Sequence, residues 1–549
     1  MLKLVLGTSG SGKTTLLYAR IRARAEAGKR SILLVPEQFT SSTEARIYRE
    51  LGDALSGMVE SYSFTSLAEH ILAIEGGAAV QTLTDAGRAV LVRRALEELQ
   101  DNVHYYYRHR RSAAFCQMAA ETIDELKSAG LSGQQLQELA RDCGTESAKL
   151  GELALIFQGY ESLLAGTGMD PADRLELAAD RLEAALARDE LPDFLREREV
   201  FIDEFDTFNA PKKRLMGAML AALPAVTVAL CEDGAPMQPG DLELFSGAKQ
   251  VAAQLRQLAR KNGAQVAAPE LLRRDLRHKD APGLAALTEL LETGSCTPPE
   301  SAPELRLFAA ASREEEARCA AAAIRRLMRQ GVRCGKIAVV CRDISLYRAA
   351  VRYEFRMAEI PLYCDEPTTP EFSAPATAVR ALLALLRGAD MTEQLTVLAK
   401  TGLCDLTEPE VCALENYAYT WSPNAAAWRA EFTKSPRGFG DAELTEEDTL
   451  NMTRAENARK KLVTAVDTLR SKVRSANAEQ ISRALYFCLK ELGAEEQQAA
   501  QVEDIRTARG IPAAEEAARE WNVVMQLLDE MARLLGSQGI TVPEYEDLF

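Results

Sequence analysis

The chain of 549 residues has few of the side chains from which protein metal centres are built. It contains four histidines, and its eleven cysteines are scattered, with no C-x-x-C pair and no cysteine–histidine cluster. Structural zinc and iron–sulfur sites usually show such short spacings. The cysteines are therefore interpreted as reduced thiols that serve as small apolar residues, and no disulfide framework is expected.

Long apolar runs are also missing. No stretch approaches the roughly 18–20 uninterrupted apolar residues that a membrane-spanning helix needs. Lys3 lies among apolar residues near the N-terminus, but a glycine-rich loop follows at once and no cleavage signature is present. We expect a cytoplasmic protein with no membrane partner.

The charge is unevenly distributed. A formal net charge of −16 at pH 7 weakens the case for a chain that binds nucleic acid over its whole surface. Residues 1–50 depart from that average, because nine Lys and Arg stand there against four Glu, a net charge of +5. An acidic chain with such a region is still able to bind a polyanion locally.

The strongest motif stands at the N-terminus, where an apolar run, residues 2–6, leads into the pattern G-x-x-x-x-G-K-[ST]. Its eight residues are Gly7, Thr8, Ser9, Gly10, Ser11, Gly12, Lys13 and Thr14. A helical composition over residues 13–27 and a second apolar run at 31–35 complete a βαβ unit. In such a P-loop the backbone N–H groups face phosphates, Lys13 adds charge, and Thr14 offers a hydroxyl to Mg²⁺. The sequence predicts a site for ATP and Mg²⁺; a glycine turn without a ligand is the alternative.

An ATPase also needs a carboxylate at the end of another strand. Residues 200–203 are an apolar run that ends in Asp203, and Glu204 follows. We predict that Asp203 orients the metal shell and that Glu204 polarises the attacking water, which would make these two and Lys13 the catalytic residues. An ordinary acidic loop after a strand is the alternative.

Several segments mix aromatic, hydroxyl, amide and basic side chains, which suits contacts to nucleic-acid phosphates and bases. The candidates for DNA contact are Gln38, Thr40, Ser63, Phe64, Tyr106 and Arg108. Loop capping explains the first four equally well, and a solvated helix end is the alternative for the last two. A nuclease-like Glu-x-Lys pattern at residues 125–127 lies in a helical segment and is set aside.

A block of about a hundred helical residues separates the P-loop from Asp203. A linker-like stretch follows at residues 294–303, and residues 305–308 and 337–341 are predicted strands around a helix at 313–330, a second α/β unit. Beyond about residue 376 the pattern is helical to the end. The last residues, 543–549, open a further helix without a closing cap, so we expect a fragment of a longer protein.

Several further segments follow the N-terminal strand and P-loop in this order, and two of them, Val-Pro-Glu-Gln and Lys-Thr-Gly-Leu, are more particular than the P-loop. They are residues 34–38 (Leu-Val-Pro-Glu-Gln), 63–64 with 67–68, 115–127, 170–175, 202–205, 336–343, 360–363, 400–403 (Lys-Thr-Gly-Leu) and 415–417. Together they resemble, over essentially the whole chain, the AddB (RexB-type) subunit of the bacterial ATP-dependent helicase/deoxyribonuclease, which has a UvrD-like superfamily 1 helicase body. The resemblance implies an α/β fold with two RecA-like P-loop domains, each a parallel sheet flanked by helices, and large all-helical insertions.

The implied domains are four. They are a P-loop domain at residues 1–83 and 196–293, a helical insertion at 84–195, the start of a second RecA-like domain at 304–385, and a helical domain at 386–549. Arg342, in the third, is the candidate phosphate contact from outside the P-loop domain. The family's nuclease and its four-cysteine iron–sulfur cluster belong to a later domain, so neither is expected in this chain.

The resemblance implies an ATP-binding, DNA-contacting subunit that processes double-strand ends for recombinational repair. Its partners would be an AddA-like motor subunit, in a heterodimer, and single-stranded and duplex DNA. Only six residues precede Gly7, so we do not expect the adenine-reading motif of active superfamily 1 motors in this chain. Asp203 and Glu204 are nevertheless intact, so slow hydrolysis stays open. A self-sufficient DNA helicase and a P-loop kinase or signalling ATPase are the alternatives.

Overall fold

The computed structural model describes residues 1–77, 82–110, 112–236, 244–364, 372–440, 443–536 and 539–549, without the side chains of residues 40, 41, 145 and 171. The chain divides into two compact units. The first contains Met1–Thr8, Gly12–Arg273 and Pro370–Phe549, and the second contains Ser9–Ser11 and Arg274–Thr369. Each unit is described by itself.

A six-stranded parallel sheet forms the centre of the first unit. Its strands β1 to β6 are Leu2–Gly7, Ser31–Leu34, Val59–Tyr62, Glu199–Ile202, Ala225–Cys231 and Glu270–Leu272. They are hydrogen-bonded in the order β3-β2-β4-β5-β1-β6. The four central strands are apolar and almost entirely buried, as expected for a parallel sheet with helices on its faces. Because parallel strands end at one edge, this order places the ends of β1 and β4 on either side of β5.

Helices follow the first three strands. α1 to α4 are Lys13–Glu26, Thr40–Leu51, Asp53–Ser56 and Phe64–Glu75. α1 begins directly at the end of the P-loop and buries Leu17 and Ile21. The predicted strand, loop, helix and second strand of the βαβ unit are confirmed to within one or two residues, since each had a continuous local pattern.

The predicted helical block is also confirmed in its secondary structure. α5 to α9 are Asp85–Glu98, Ala113–Ala129, Gly133–Ala140, Ser147–Thr167 and Pro171–Ala187. Thr84, Ser112 and Ser132 begin three of these helices, and each side chain accepts a hydrogen bond from a backbone amide in the first turn. α10 (Ala210–Ala222) and α11 (Ser246–Lys261) then pack beside the sheet.

Within its described residues, the second unit contains three α-helices, of which the last two pack together. Its helices α12 to α14 are Pro282–Thr293, Arg313–Arg329 and Ile344–Met357. Ala321 and Ile324 of α13 belong to one small hydrophobic cluster with Val351 and Phe355 of α14. The helix predicted at residues 313–330 is therefore confirmed.

The strands predicted on either side of α13 are not formed. Residues 305–308 and 337–341 are described, but neither makes strand hydrogen bonds with any described segment. Leu307 is 99% exposed and Val340 is 91% exposed. A β-strand exists only through the backbone of a neighbouring strand, so a strand-like sequence pattern without such a neighbour stays outside any sheet.

The rest of the first unit is helical. α15 to α23 are Ala374–Arg387, Met391–Lys400, Glu408–Trp421, Ala425–Arg429, Glu446–Val473, Ala478–Leu492, Ala494–Arg509, Ile511–Leu535 and Val542–Leu548. Their apolar residues, including Leu382 and Leu534, belong to one hydrophobic core with Leu91 and Phe157 of the earlier helical block. The predicted α/β class with a helix-flanked parallel sheet and large helical insertions is confirmed. Within the described ranges, no helix is both long and apolar enough to cross a membrane.

Candidate nucleotide-binding site

The loop after β1 has the backbone geometry of an anion-binding turn. Gly10 and Gly12 have φ angles of +82° and +91°, a region that disfavours residues with a side chain. Ser11 between them is buried, and its hydroxyl has no hydrogen-bond partner in the described part of the chain. A buried hydroxyl without a partner, set between left-handed glycines, fits a phosphate group held by backbone N–H groups.

Lys13 and Thr14 stand at the start of α1, where the motif places them. Lys13 Nζ lies 2.8 Å from the carbonyl oxygen of Gly7 and 2.9 Å from that of Thr8. Its ammonium group therefore lies over the first residues of the loop. Thr14 is half-buried and lines the adjoining cavity. Their roles towards phosphate and Mg²⁺ stay predictions.

Residues 9–11 of the loop belong to the second unit through its segment at 275–277. The amide of Leu276 donates to the carbonyl oxygen of Gly10 at 3.0 Å. Arg277 Nη1 lies 3.4 Å from the hydroxyl of Ser9. A Cβ atom on Gly10 would lie 2.8 Å from a carboxylate oxygen of Asp275, so this position has no room for a side chain.

Asp203 directly follows β4 and is only 5% exposed. Its amide donates to the carbonyl oxygen of Leu34 at 3.1 Å, and its Oδ1 accepts the amide of Glu204 at 3.0 Å. Because β5 alone separates β4 from the P-loop strand, the carboxylate lies at the sheet edge where P-loop NTPases hold their magnesium. Asp203 and Thr14 are thus the residues that fit a Mg²⁺ ion.

Glu204 has an unusual backbone. Its φ of +65° lies in the left-handed region although it is not a glycine, a strain that is typical of functional positions. Burial and the neighbouring Asp203 raise the pKa of Glu204, whereas Arg46 lowers it. A carboxylate with a raised pKa is a better proton acceptor, which suits the predicted role towards water.

The site opens into a cavity of about 640 Å³, within the size range of small-molecule sites. All of its lining belongs to the first unit: Thr14, Tyr18, Leu33, Val35, Gln38, Phe39, Ser42, Thr43, Arg46, Arg49, Asp203, Glu204 and Asp206. Two arginines, four hydroxyl side chains and three carboxylates face the same space. The cavity is therefore able to hold both an anion and a divalent cation.

Tyr18 and Arg46 were not among the predicted site residues. The Arg46 Cζ lies 4.8 Å from the centre of the Tyr18 ring, a cation–π contact between α2 and α1. Burial raises the pKa of Tyr18 to about 12, even though Arg46 opposes this. The positive charge of residues 1–50 was the only sequence signal, and it did not distinguish Arg46 from its eight basic neighbours.

Glu232 is a second carboxylate that the sequence pattern did not indicate. It follows β5, its amide donates to the carbonyl oxygen of Gly7 at 3.1 Å, and it is 6% exposed. Its Oε2 has no partner among the described residues, and burial raises its pKa, against the effect of Arg256. Perturbed carboxylates of this kind are enriched at functional sites. The sequence signal for Glu232 would have been its place just after the apolar run at residues 226–230.

The predicted DNA contacts after β2 are only partly described. Gln38 is exposed and lines the cavity beside Asp203. Thr40 is the first residue of α2, but its side chain lies outside the described residues. Gln38 therefore stays a candidate contact.

Ser63 and Phe64 are placed differently from the prediction. The Ser63 hydroxyl accepts the amide of Ser66 at 3.0 Å and begins α4, while Phe64 is 2% exposed. The Phe64 ring packs edge-on against Phe205, with ring centres 5.3 Å apart. Both side chains are buried, the Ser63 hydroxyl as a helix cap and the Phe64 ring in the core, so neither presents a surface to a nucleic acid.

Tyr106 and Arg108 lie in the helical block. Tyr106 stacks on Phe115 with ring centres 5.4 Å apart, and its amide is one of three that donate to the Glu152 carboxylate. Arg108 is exposed in a short 3₁₀ turn. Arg108 is therefore accessible to a phosphate group, whereas Tyr106 is half-buried and its ring packs on Phe115.

Arg342, the candidate phosphate contact, lies in the second unit, where it is exposed two residues before α14.

Among the residues that the structure describes, no group of three or more His, Cys, Asp and Glu side chains is arranged to hold a metal ion. A magnesium ion bound with a nucleotide needs fewer protein ligands, because it keeps several waters and phosphate oxygens.

Comparison with known proteins places this chain in a family. Residues 4–288 match the family model described as "ADDB, N-terminal", which is more than half of the chain. The chain belongs to the AddB family. It is 30% identical to the B-type subunit of the ATP-dependent helicase/deoxyribonuclease of Moorella thermoacetica and to the protein of the same name from Desulforudis audaxviator. Each match covers 99% of this AddB-family chain and 48% of the relative.

A third relative of the same name, from Clostridium acetobutylicum, is 24% identical with the same coverage. The chain therefore spans about half the length of the curated relatives that it matches. The expected resemblance to AddB is confirmed by these matches.

Proposed function

We propose that this chain binds ATP with Mg²⁺ at its P-loop and acts as the DNA-contacting subunit of a helicase/nuclease complex. In this proposal the complex processes double-strand ends for recombinational repair, and an AddA-like partner is the main motor. The observation that carries the nucleotide part is that β1, which leads into the P-loop, and β4, which leads into Asp203, end at the same edge of the sheet with only β5 between them. The names of the relatives support the part in a helicase/nuclease complex.

The residues divide the work as follows. The amides of residues 9–14 bind phosphate oxygens, and Lys13 neutralises their charge. Thr14 and Asp203 hold Mg²⁺, and Glu204 accepts a proton from the water next to it. A bound Mg²⁺ supplies the Lewis acidity that polarises the terminal phosphate.

The first test is nucleotide binding by calorimetry. Lys13→Ala should weaken ATP binding by at least tenfold, which corresponds to about 1.4 kcal/mol. Lys29→Ala is the matched control, because Lys29 is exposed just beyond the other end of α1. Equal ATP affinity in wild type and Lys13→Ala would reject the P-loop assignment.

A self-sufficient helicase is the second candidate, favoured by the intact Asp203 and Glu204. A strand-displacement assay on a forked duplex separates the two proposals. The subunit proposal expects binding of a single-stranded oligonucleotide but no displacement until an AddA-like protein is added. Displacement by this chain alone, lost in Lys13→Ala, would favour the helicase.

A further inference from the structure

Arg46 stands out in the cavity beside the P-loop because it is half-buried and one of its guanidinium nitrogens lacks a hydrogen-bond acceptor. It lies on α2, and its Nε is shielded from solvent with no hydrogen-bond acceptor among the described residues. No carboxylate of the described chain forms an ion pair with it. A shielded guanidinium nitrogen without an acceptor is unfavourable, and in a cavity lined by other polar side chains a bound ligand is able to supply that acceptor.

The residues around Arg46 show which part of the cavity its guanidinium group faces. The Tyr18 ring, 4.8 Å from Cζ, supports one side of the guanidinium plane. Thr14, Asp203 and Glu204 line the same cavity. The cation therefore faces the space next to the predicted Mg²⁺ ligands, where the last phosphate of a triphosphate on a P-loop lies.

Arginine is better suited than lysine to that task. Its planar fork donates two parallel hydrogen bonds to phosphate oxygens, and its face stacks on an aromatic ring. Tyr18 provides such a ring, and the Nε that lacks a partner belongs to the fork. The arrangement thus has the parts of a bidentate phosphate contact that has been oriented in advance.

We propose that Arg46 contacts the terminal phosphate of a bound nucleoside triphosphate and makes this site prefer ATP over ADP. The proposal rests on the proposed ATP site and adds the residue that reads the third phosphate. Gln38 and Phe39 immediately precede α2, and Arg46 is part of α2. Contact between Arg46 and the third phosphate would therefore link nucleotide binding to the neighbouring segment that is predicted to contact DNA.

The experiment measures the dissociation constants of Mg·ATP and Mg·ADP for the full chain. Wild type should bind ATP more tightly than ADP. Arg46→Gln, which keeps much of the side-chain volume, should weaken ATP at least tenfold and change ADP less than twofold. Arg46→Lys should retain only part of the preference, because it keeps the charge and loses the fork.

Arg22→Gln is the matched control. Arg22 is exposed on α1 and lies outside the described lining of the cavity. It should keep the wild-type preference for ATP. Thermal melting without nucleotide checks that each variant is folded. If Arg46→Gln fails this check, the partial loss of ATP preference expected in Arg46→Lys decides.

The outcomes separate this proposal from the one on which it rests. If wild type and Lys13→Ala bind ATP equally, the nucleotide site is wrong and the role of Arg46 falls with it. A second outcome is that Lys13→Ala loses affinity for ATP, while Arg46→Gln either weakens the binding of ATP and ADP equally or weakens neither. The nucleotide site is then supported, and the proposed role of Arg46 is refuted. A loss of affinity for a single-stranded oligonucleotide, with both nucleotides unaffected, would instead assign Arg46 to a DNA phosphate and overturn the proposal.

Discussion

Lys127 Nζ lies 2.8 Å from Asp170 Oδ2, inside the helical block and almost completely shielded from solvent. The same ammonium group reaches Asp173 at 2.9 Å, and the Tyr160 hydroxyl donates to the other Asp170 oxygen at 2.6 Å. The lysine of the Glu-x-Lys pattern is therefore held in an ion-pair network between α6 and α9. This placement agrees with setting the pattern aside as nuclease chemistry.

Replacing Lys127 by Met should destabilise the first unit by about 3–5 kcal/mol, because Asp170 would keep a buried charge without its counterion. The midpoint of thermal unfolding measures this. Lys149→Met is the control: its ion pair with Glu146 is longer and exposed, so its effect should stay below about 1 kcal/mol. ATP affinity should not change in either variant. A nucleotide defect in folded Lys127→Met would show that the network does more than hold the helices.

Gly12→Ala should abolish nucleotide binding with only a modest loss of stability. Its φ of +91° strains any residue with a Cβ by about 1–2 kcal/mol, and relief of that strain distorts the phosphate-binding loop. Gly28→Ala is the matched control, since Gly28 has a φ of +72° at the far end of α1 and open space around it. Both variants should melt at similar temperatures. Loss of ATP binding in Gly28→Ala as well would indicate a general effect on α1 rather than on the loop.

Phe64→Ala should cost about 3–5 kcal/mol of stability, as expected for a large side chain removed from a packed core. Phe39→Ala should change stability by less than about 0.5 kcal/mol, because Phe39 is 36% exposed. Affinity for a single-stranded oligonucleotide should fall in Phe39→Ala and stay unchanged in folded Phe64→Ala. The opposite pattern would restore Phe64 as a DNA contact and contradict the placement of its ring.

Glu199 makes the stability of the sheet depend on pH. It is buried in β4 and accepts hydrogen bonds from Lys3 at 2.8 Å and from Thr227 at 2.9 Å. Burial by itself raises its pKa, but these bonds and the charges of Lys3 and Arg24 outweigh it, so the pKa lies below the ordinary 4.5. A lowered pKa in the folded state adds stability above about pH 4.5 that is lost as the pH falls through the folded-state value.

Glu199→Gln should therefore be less stable than wild type by about 1–3 kcal/mol at neutral pH. The difference should shrink as the pH is lowered below about 4.5, which melting curves across a pH series will show. Glu190→Gln, at a side chain that is 69% exposed, should follow wild type throughout. A difference that is constant with pH would mean that the hydrogen bonds, and not the charge, stabilise β4.

The sequence predicted the parts of the site that lie on one continuous stretch of chain. The apolar runs at β1 and β2, the glycines between β1 and α1, and the acidic pair after β4 each follow from a local pattern. Because all parallel strands end at one edge, those patterns place the ends of β1 and β4 at the same edge of a sheet, whereas the strand order that leaves only β5 between them came from the structure. β3 and β6 were missed since both are short and only partly buried.

The side chains around the loop were decided by tertiary packing. Gln38 and Phe64 were both predicted to contact DNA, yet the first is exposed in the cavity and the second is buried against Phe205. Arg46 became a site residue only because α2 packs its guanidinium on Tyr18 of α1. No spacing in the sequence distinguishes an arginine over an aromatic ring from one in solvent.

By itself, the sequence determined the βαβ unit with its P-loop and the helical character of both long helical regions, because strands, glycine turns and helices are encoded by residues close together in the chain. Only the tertiary structure decided that these helical regions share one hydrophobic core. The amide of Thr84, which begins α5, donates to Glu530 of α22 at 3.2 Å, across 446 positions of sequence. Amphipathic periodicity shows that a helix has an apolar face, but which distant face covers it depends on shape and on the burial of groups such as Glu530.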